Sequence, residues 1–171
     1  MRFRRILAAI AVLACTPFAV EAQTAVTESL AGLYEITTTN IMATAELADA
    51  DLLAYRPTDD VRSTAELLGH IANAQFAFCS AAAGESSPQT ENYEETRTTR
   101  DGLIDALQAG FSYCDGVFDA MTDADGARAV NFIGPSTAHG VLAFNSAHNY
   151  EHYGNLVTYM RINGIVPPSS R

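Results

Sequence analysis

The chain has 171 residues, enough for one domain with a single core. Twenty acidic residues against ten basic ones give a formal net charge of −10. Such a body repels a phosphate backbone and an anionic membrane surface, so binding to nucleic acid and to acidic lipids is excluded.

The N-terminus reads MRFRR, then ILAAIAVLAC, then TPFAVEAQ. A basic start, a short apolar run and small residues at the end describe a secretory signal peptide. Val20-Glu21-Ala22 fits the cleavage site, so residues 1–22 are the signal and 23–171 form one mature domain starting at Gln23. The apolar run is too short to span a bilayer comfortably, and no integral span is expected in the mature chain. A second exit is Val12-Leu13-Ala14-Cys15, which loosely resembles a lipoprotein box and would leave Cys15 lipidated. The expected location is periplasmic or secreted. Residues 1–22 carry three arginines and one glutamate, so the mature chain has seven basic and nineteen acidic residues, a net of −12. Every basic residue is an arginine.

Four segments carry helical periodicity. The first runs from about Thr27 to Leu53, with Leu30, Leu33, Tyr34, Thr37, Ile41 and Leu47 as its apolar stripe, and ends before RPTDD. The second opens at Ser63-Thr64-Ala65-Glu66, a capping box in which serine and glutamate satisfy each other's backbone amides. It runs through ELLGHIANAQFAFCSAAAG to Gly84, and GESSPQTEN follows as a polar loop. The third runs from about Glu94 to Met121, with Leu103, Ile104, Leu107, Phe111, Cys114, Val117 and Phe118 at spacings of three and four. RAVNFIGP, residues 128–135, is too short and irregular to assign. The fourth begins around Ser136 to His139 and runs to about Asn163, where Gly164 and Pro167-Pro168 stop it. The fold class is all-α, a four-helix bundle with one irregular connection.

Cys79 and Cys114 remain after cleavage, and in an exported chain a disulfide between them is the natural reading. The alternative is two buried free thiols. Neither has a histidine or a basic residue within a helical turn to make it reactive.

The chain holds four histidines. His148 and His152 are four apart, so they share a helix face with Val141, Phe144, Asn145, Leu156 and Tyr159. His70 shares its face with Leu67, Ile71, Ala74 and Phe78. Three imidazoles therefore sit on inward faces of two helices. His139 lies nine residues before His148, half a turn away at about 100° per residue, and is left out of the site. A satisfied core histidine is the alternative for each. Neutral imidazole is also the commonest metal ligand, and three of them leave a tetrahedral ion one open position. Spacing alone does not say whether His70 reaches the pair.

His148-Asn149-Tyr150-Glu151-His152 also matches H-x-x-E-H, the inverted zinc-protease motif. Such proteases need a further acidic ligand downstream, and residues 153–171 contain no aspartate or glutamate. The protease reading is set aside.

AELLGHIANAQFAF on the second helix, followed by HNYEHYGNLVTYMRINGIVPP, resembles the DinB-like (YfiT-like) metal-binding four-helix bundles over about Thr27 to Pro168. That resemblance implies a metal triad of one histidine on the second helix and two on the fourth, here His70, His148 and His152, holding a divalent ion, most often zinc or nickel. With an ion in place two function classes remain, and a third, a plain structural bundle, stands if no metal binds. The first is a metal-dependent enzyme, hydrolytic or transferring a group to a thiol, acting on a small molecule; some relatives use a low-molecular-weight thiol cofactor. The second is a non-catalytic metal- or ligand-binding module of the cell envelope. Glu151, beside His152, is the first candidate for a general base. Glu66 lies four before His70 but has a capping role. Asn73 and Asn145, three from His70 and His148, are candidates to orient the ligands or to satisfy each other. A homodimer is compatible with the chain.

Overall fold

The computed structural model describes residues 24–171. The expected signal peptide, its expected cleavage point before Gln23 and Cys15 lie outside the described residues.

Four long helices form the bundle: α1 (Ala25–Leu47), α3 (Thr64–Ala83), α5 (Arg100–Ala120) and α7 (Ala138–Ile162). Short helices punctuate the connections: α2 (Ala50–Ala54), α4 (Tyr93–Thr96) and α6 (Asp123–Gly126). α1 packs on α5 and α7, and α3 packs on the same two, so α3 and α7 are neighbours. The all-α four-helix bundle is the architecture expected from the sequence.

The helix ends follow local chemistry. The Ser63–Glu66 capping box opens α3, and Gly84 closes it in the left-handed region at φ 80°. Thr99 accepts from the Gly102 amide to open α5, and Thr137 accepts from the Gly140 amide to open α7. The Thr24 side chain makes no such bond. Instead Asp123 of α6 accepts from the Val26 and Thr27 amides of α1.

Two expected helices are shorter than their periodicity suggests. The first segment breaks at Ala48-Asp49 because the Asp49 side chain accepts from the Leu52 amide and starts a separate turn. The third starts at Arg100, not Glu94, because Thr99 provides the cap and Tyr93–Thr96 forms its own turn. Residues 128–135, unassigned in the sequence reading, contribute to a hairpin. β1 (Ala129–Asn131) pairs antiparallel with β2 (Pro135–Thr137), Val130 opposite Ser136. The turn between them places Gly134 at φ 126°, open to glycine alone at little strain.

The core gathers Tyr34 and Ile41 of α1, Leu68 and Ile71 of α3, Leu103 and Leu107 of α5, and Leu142, Leu156 and Met160 of α7. Not every residue of the expected stripes is inside. Leu33 and Leu47 are 49% and 38% exposed, because α1 turns only the Tyr34–Thr37–Ile41 side inward. Phe144 is half exposed and packs its ring on Phe78 at 5.5 Å.

Candidate metal centre

α3 and α7 meet where His70 faces His148 and His152. His70 Nε2 lies 3.1 Å from His148 Nε2, and His152 Nε2 lies 3.0 Å from the same atom. All three ligand atoms fall within 4.8 Å of one another. The structure brings together the three histidines singled out in the sequence. His139 is elsewhere, as its half-turn offset requires: its Nε2 lies 2.8 Å from Thr27 Oγ1 at the start of α1.

The cluster's surroundings keep it uncharged. Burial pushes His148 down to about 3, and the neighbouring His152 and His70 push in the same direction. Burial pushes His152 down to about 4, again with His70 opposing a second positive charge. His70 is also lowered, by burial first and by Arg62 next, while Glu94 partly restores it. At neutral pH the site therefore presents neutral imidazoles, the form that binds metal.

Hydrogen bonding alone does not satisfy this cluster. A neutral imidazole nitrogen carries one proton or one lone pair. His148 Nε2 stands between two other Nε2 atoms and can satisfy one of them, not both. The Nδ1 atoms of His148 and His152 are buried without a partner. A cation drawing all three Nε2 lone pairs removes the conflict at Nε2, and leaves the Nδ1 protons of His148 and His152 without a protein acceptor. Tetrahedral metal–nitrogen bonds of about 2.0–2.1 Å place ligand nitrogens about 3.3–3.4 Å apart, a few tenths of an ångström beyond the two short separations. The residues fit a divalent ion.

Behind His70 stands a carboxylate that the sequence reading did not single out. Glu94 Oε2 lies 3.1 Å from His70 Nδ1, and Glu94 Oε1 accepts from Arg62 Nε at 2.7 Å. The Arg62 backbone is held in turn by Tyr159 of α7, whose hydroxyl donates to the Arg62 carbonyl at 3.0 Å. A usable signal was present: Thr99 reads as a helix cap, which leaves a connection from Gly84 to Thr99 long enough to suspect a functional role.

The remaining candidates are placed as follows. Glu151 is exposed and its carboxylate makes no hydrogen bond among the described residues. It lines a cleft of about 550 Å³ together with His152, Glu94, Arg62, Asp59 and Asp60. Glu66 caps α3 and pairs with Arg56 at 3.0 Å, as its capping position suggested. Asn73 and Asn145 do not pair with each other. Asn73 Oδ1 accepts from the Tyr93 amide at 2.9 Å, so it holds the segment that carries Glu94. Asn145 donates to Gln75 Oε1 at 3.0 Å, and Gln75 donates to Asn149 Oδ1 at 2.9 Å, forming a buried amide row beside the histidines. On the other side His148 packs on Phe78 at 5.3 Å, and Phe78 packs on Phe132 of the hairpin at 5.0 Å. The Cα atoms of Cys79 and Cys114 are 5.4 Å apart, within the range a disulfide spans. No helix among the described residues is long and apolar enough to cross a membrane.

The fold has solved relatives. A DinB-like protein from Bacillus cereus ATCC 10987 superposes with a TM-score of 0.71 at 17% identity, covering 82% of this chain and 95% of its own. A DinB-like protein from Bacillus subtilis superposes with a TM-score of 0.65 at 21% identity, covering 80% and 92%. A mycothiol-dependent maleylpyruvate isomerase superposes with a TM-score of 0.63 at 18% identity, over 76% of this chain and 60% of that longer protein. No curated protein matches the chain. The DinB superfamily model matches residues 33–156, which take in all three histidines, Glu94 and both cysteines. The chain belongs to the DinB superfamily.

Proposed function

We propose that this protein is an exported metalloenzyme that holds one divalent ion, zinc or nickel, through His70, His148 and His152, and acts on a small molecule in the adjoining cleft. The observation that carries this reading is the convergence of three neutral Nε2 atoms that no hydrogen-bond pattern satisfies together. Bound there, a divalent ion supplies Lewis acidity, enough to polarise a carbonyl or to make a water or thiol acidic near neutral pH.

The chain's own residues supply the rest. Phe78 and Phe132 exclude water from one side of the histidines. Glu151 opens onto the cleft beside His152 and, with its carboxylate uncommitted, can take a proton from a substrate bound there. The reaction is hydrolysis or transfer to a thiol. The mycothiol dependence of one structural neighbour supports the thiol branch. Export supports the hydrolytic one, because low-molecular-weight thiol cofactors belong to the cytosol. The second reading, a metal- or ligand-binding envelope module without catalysis, draws support from the exposure of Glu151 and from the absence of a hydrogen bond that would orient its carboxylate.

Elemental analysis of protein purified without chelator or nickel resin tests the metal site. The expected result is about one divalent ion per chain, lost in His148→Ala and His152→Ala. Metal content unchanged by both substitutions would sink the reading.

A further inference from the structure

We infer that Glu94 is a positioning residue for this site, and that the fold contains a dedicated dock that brings it to His70. The inference rests on the metal-binding reading above. Its geometry is independent of any ion.

Glu94 reaches His70 from a different segment, 24 residues along the chain. Three features of α3 and its N-terminal flank hold that segment in place. Gly69, the residue before His70, lets the backbone in. A Cβ there would lie 2.7 Å from the Tyr93 carbonyl oxygen and 2.7 Å from Glu94 Cα, closer than side chains tolerate. Asn73, one turn further on, accepts from the Tyr93 amide. Arg62, just before α3, takes the carboxylate oxygen that His70 does not use. A glycine in mid-helix costs about 1 kcal/mol relative to alanine, so its presence calls for a reason, and this backbone approach supplies one.

The consequence lies in the tautomer. With Glu94 Oε2 accepting from Nδ1–H, the lone pair of His70 is fixed on Nε2, the atom that faces His148 and His152. The carboxylate also makes that nitrogen a better donor and locks the ring's rotation. Without it, His70 is free to carry its proton on Nε2, and that proton must leave before a metal binds.

The experiment compares wild type with Glu94→Ala, Glu94→Gln and Gly69→Ala. Zinc affinity is read by competition with a chromophoric chelator, and the His70 tautomer by nitrogen-15 NMR of the metal-free protein. Glu94→Ala is expected to weaken zinc binding about tenfold to a hundredfold and to move the His70 proton to Nε2. Glu94→Gln, which keeps an acceptor oxygen without the charge, falls between. Gly69→Ala, with Glu94 intact, loses affinity in the same direction, and the Gly69→Ala/Glu94→Ala double variant is no weaker than the worse single one. If Gly69→Ala does not fold, Asn73→Ala tests the dock in its place. Zinc affinity within about threefold of wild type in Glu94→Ala, with the tautomer unmoved, overturns the inference. If wild type takes up no zinc, the metal reading fails, and the tautomer alone then decides the role of Glu94.

Discussion

His70 Nε2 lies 3.1 Å from His148 Nε2 although 78 residues separate them in the chain. The contact spans the α3–α7 interface, so an ion bound there would tie two helices that otherwise meet through packing and the amide hydrogen bonds of Gln75. Binding that requires the folded arrangement stabilises it by mass action. Zinc at a hundredfold excess over its Kd is expected to add about 2.7 kcal/mol and to raise the melting temperature, and chelator should reverse the rise. His152→Ala should lose the zinc-dependent rise, because it removes a ligand from α7. A rise that survives in that variant would place the ion elsewhere.

The same cluster sets an acid limit on the metal-free protein. His148 and His152 titrate near 3 and 4 in the folded chain, and His70 is also lowered. Once unfolded, each returns toward about 6.5. Between those values the unfolded chain binds more protons than the folded one, so stability falls as pH falls. Urea unfolding of metal-free protein should show little loss from this cluster above about pH 7 and a progressive loss from about pH 6.5 toward 4. The His148→Gln/His152→Gln variant should show a shallower decline over the same window. An equally steep decline in that variant would assign the acid sensitivity to other groups.

Much of the site was legible because it obeys helical spacing. His148 and His152 share a face by an interval of four, and the H-x-x-E-H match failed for want of a downstream carboxylate. The Ser63–Glu66 box, the start around Ser136 to His139 and the Gly164 stop placed α3 and α7 to within a residue or two. Glu94 was not legible in that way. Periodicity assigns it to the start of the third helix, whereas it lies in the separate Tyr93–Thr96 turn and arrives through a backbone approach at Gly69 that depends on tertiary packing. The hairpin was missed for a related reason: strands of three residues carry too little alternation to register, and its pairing is read from backbone hydrogen bonds. Asn73 was noticed for its nearness to His70, yet its work is one step removed, holding Tyr93 rather than a ligand.

Gln75 is fully buried beside the site and is bonded on both sides, accepting from Asn145 and donating to Asn149. Truncating one partner of a buried network costs more than removing the network, because the remaining amides keep their desolvation penalty. Gln75→Leu is expected to destabilise by about 2–4 kcal/mol, measured by urea unfolding of the metal-free protein. Replacing Gln75, Asn145 and Asn149 together by leucine should recover part of that loss. A neutral Gln75→Leu would mean that these amides find water in the folded state.

Asn145 also connects the amide row to the cysteines: its Nδ2 lies 3.6 Å from Cys79 Sγ and 3.7 Å from Cys114 Sγ. Those cysteines face each other from α3 and α5, the pair of helices whose connection carries Glu94. Closing the loop between them removes freedom from the unfolded chain, and the sequence separation of 35 corresponds to about 3–4 kcal/mol in the chain-entropy model. Protein exported in an oxidising host should therefore weigh less than the reduced form by two hydrogens. The Cys79→Ala/Cys114→Ala variant should lose about that stability, with a lower urea midpoint. Reduction should leave the fold intact at room temperature, because both sulfurs sit in a packed core that stays apolar without the bond. Identical masses before and after reduction would show that the chain carries two buried thiols, and would remove the cysteines as support for export.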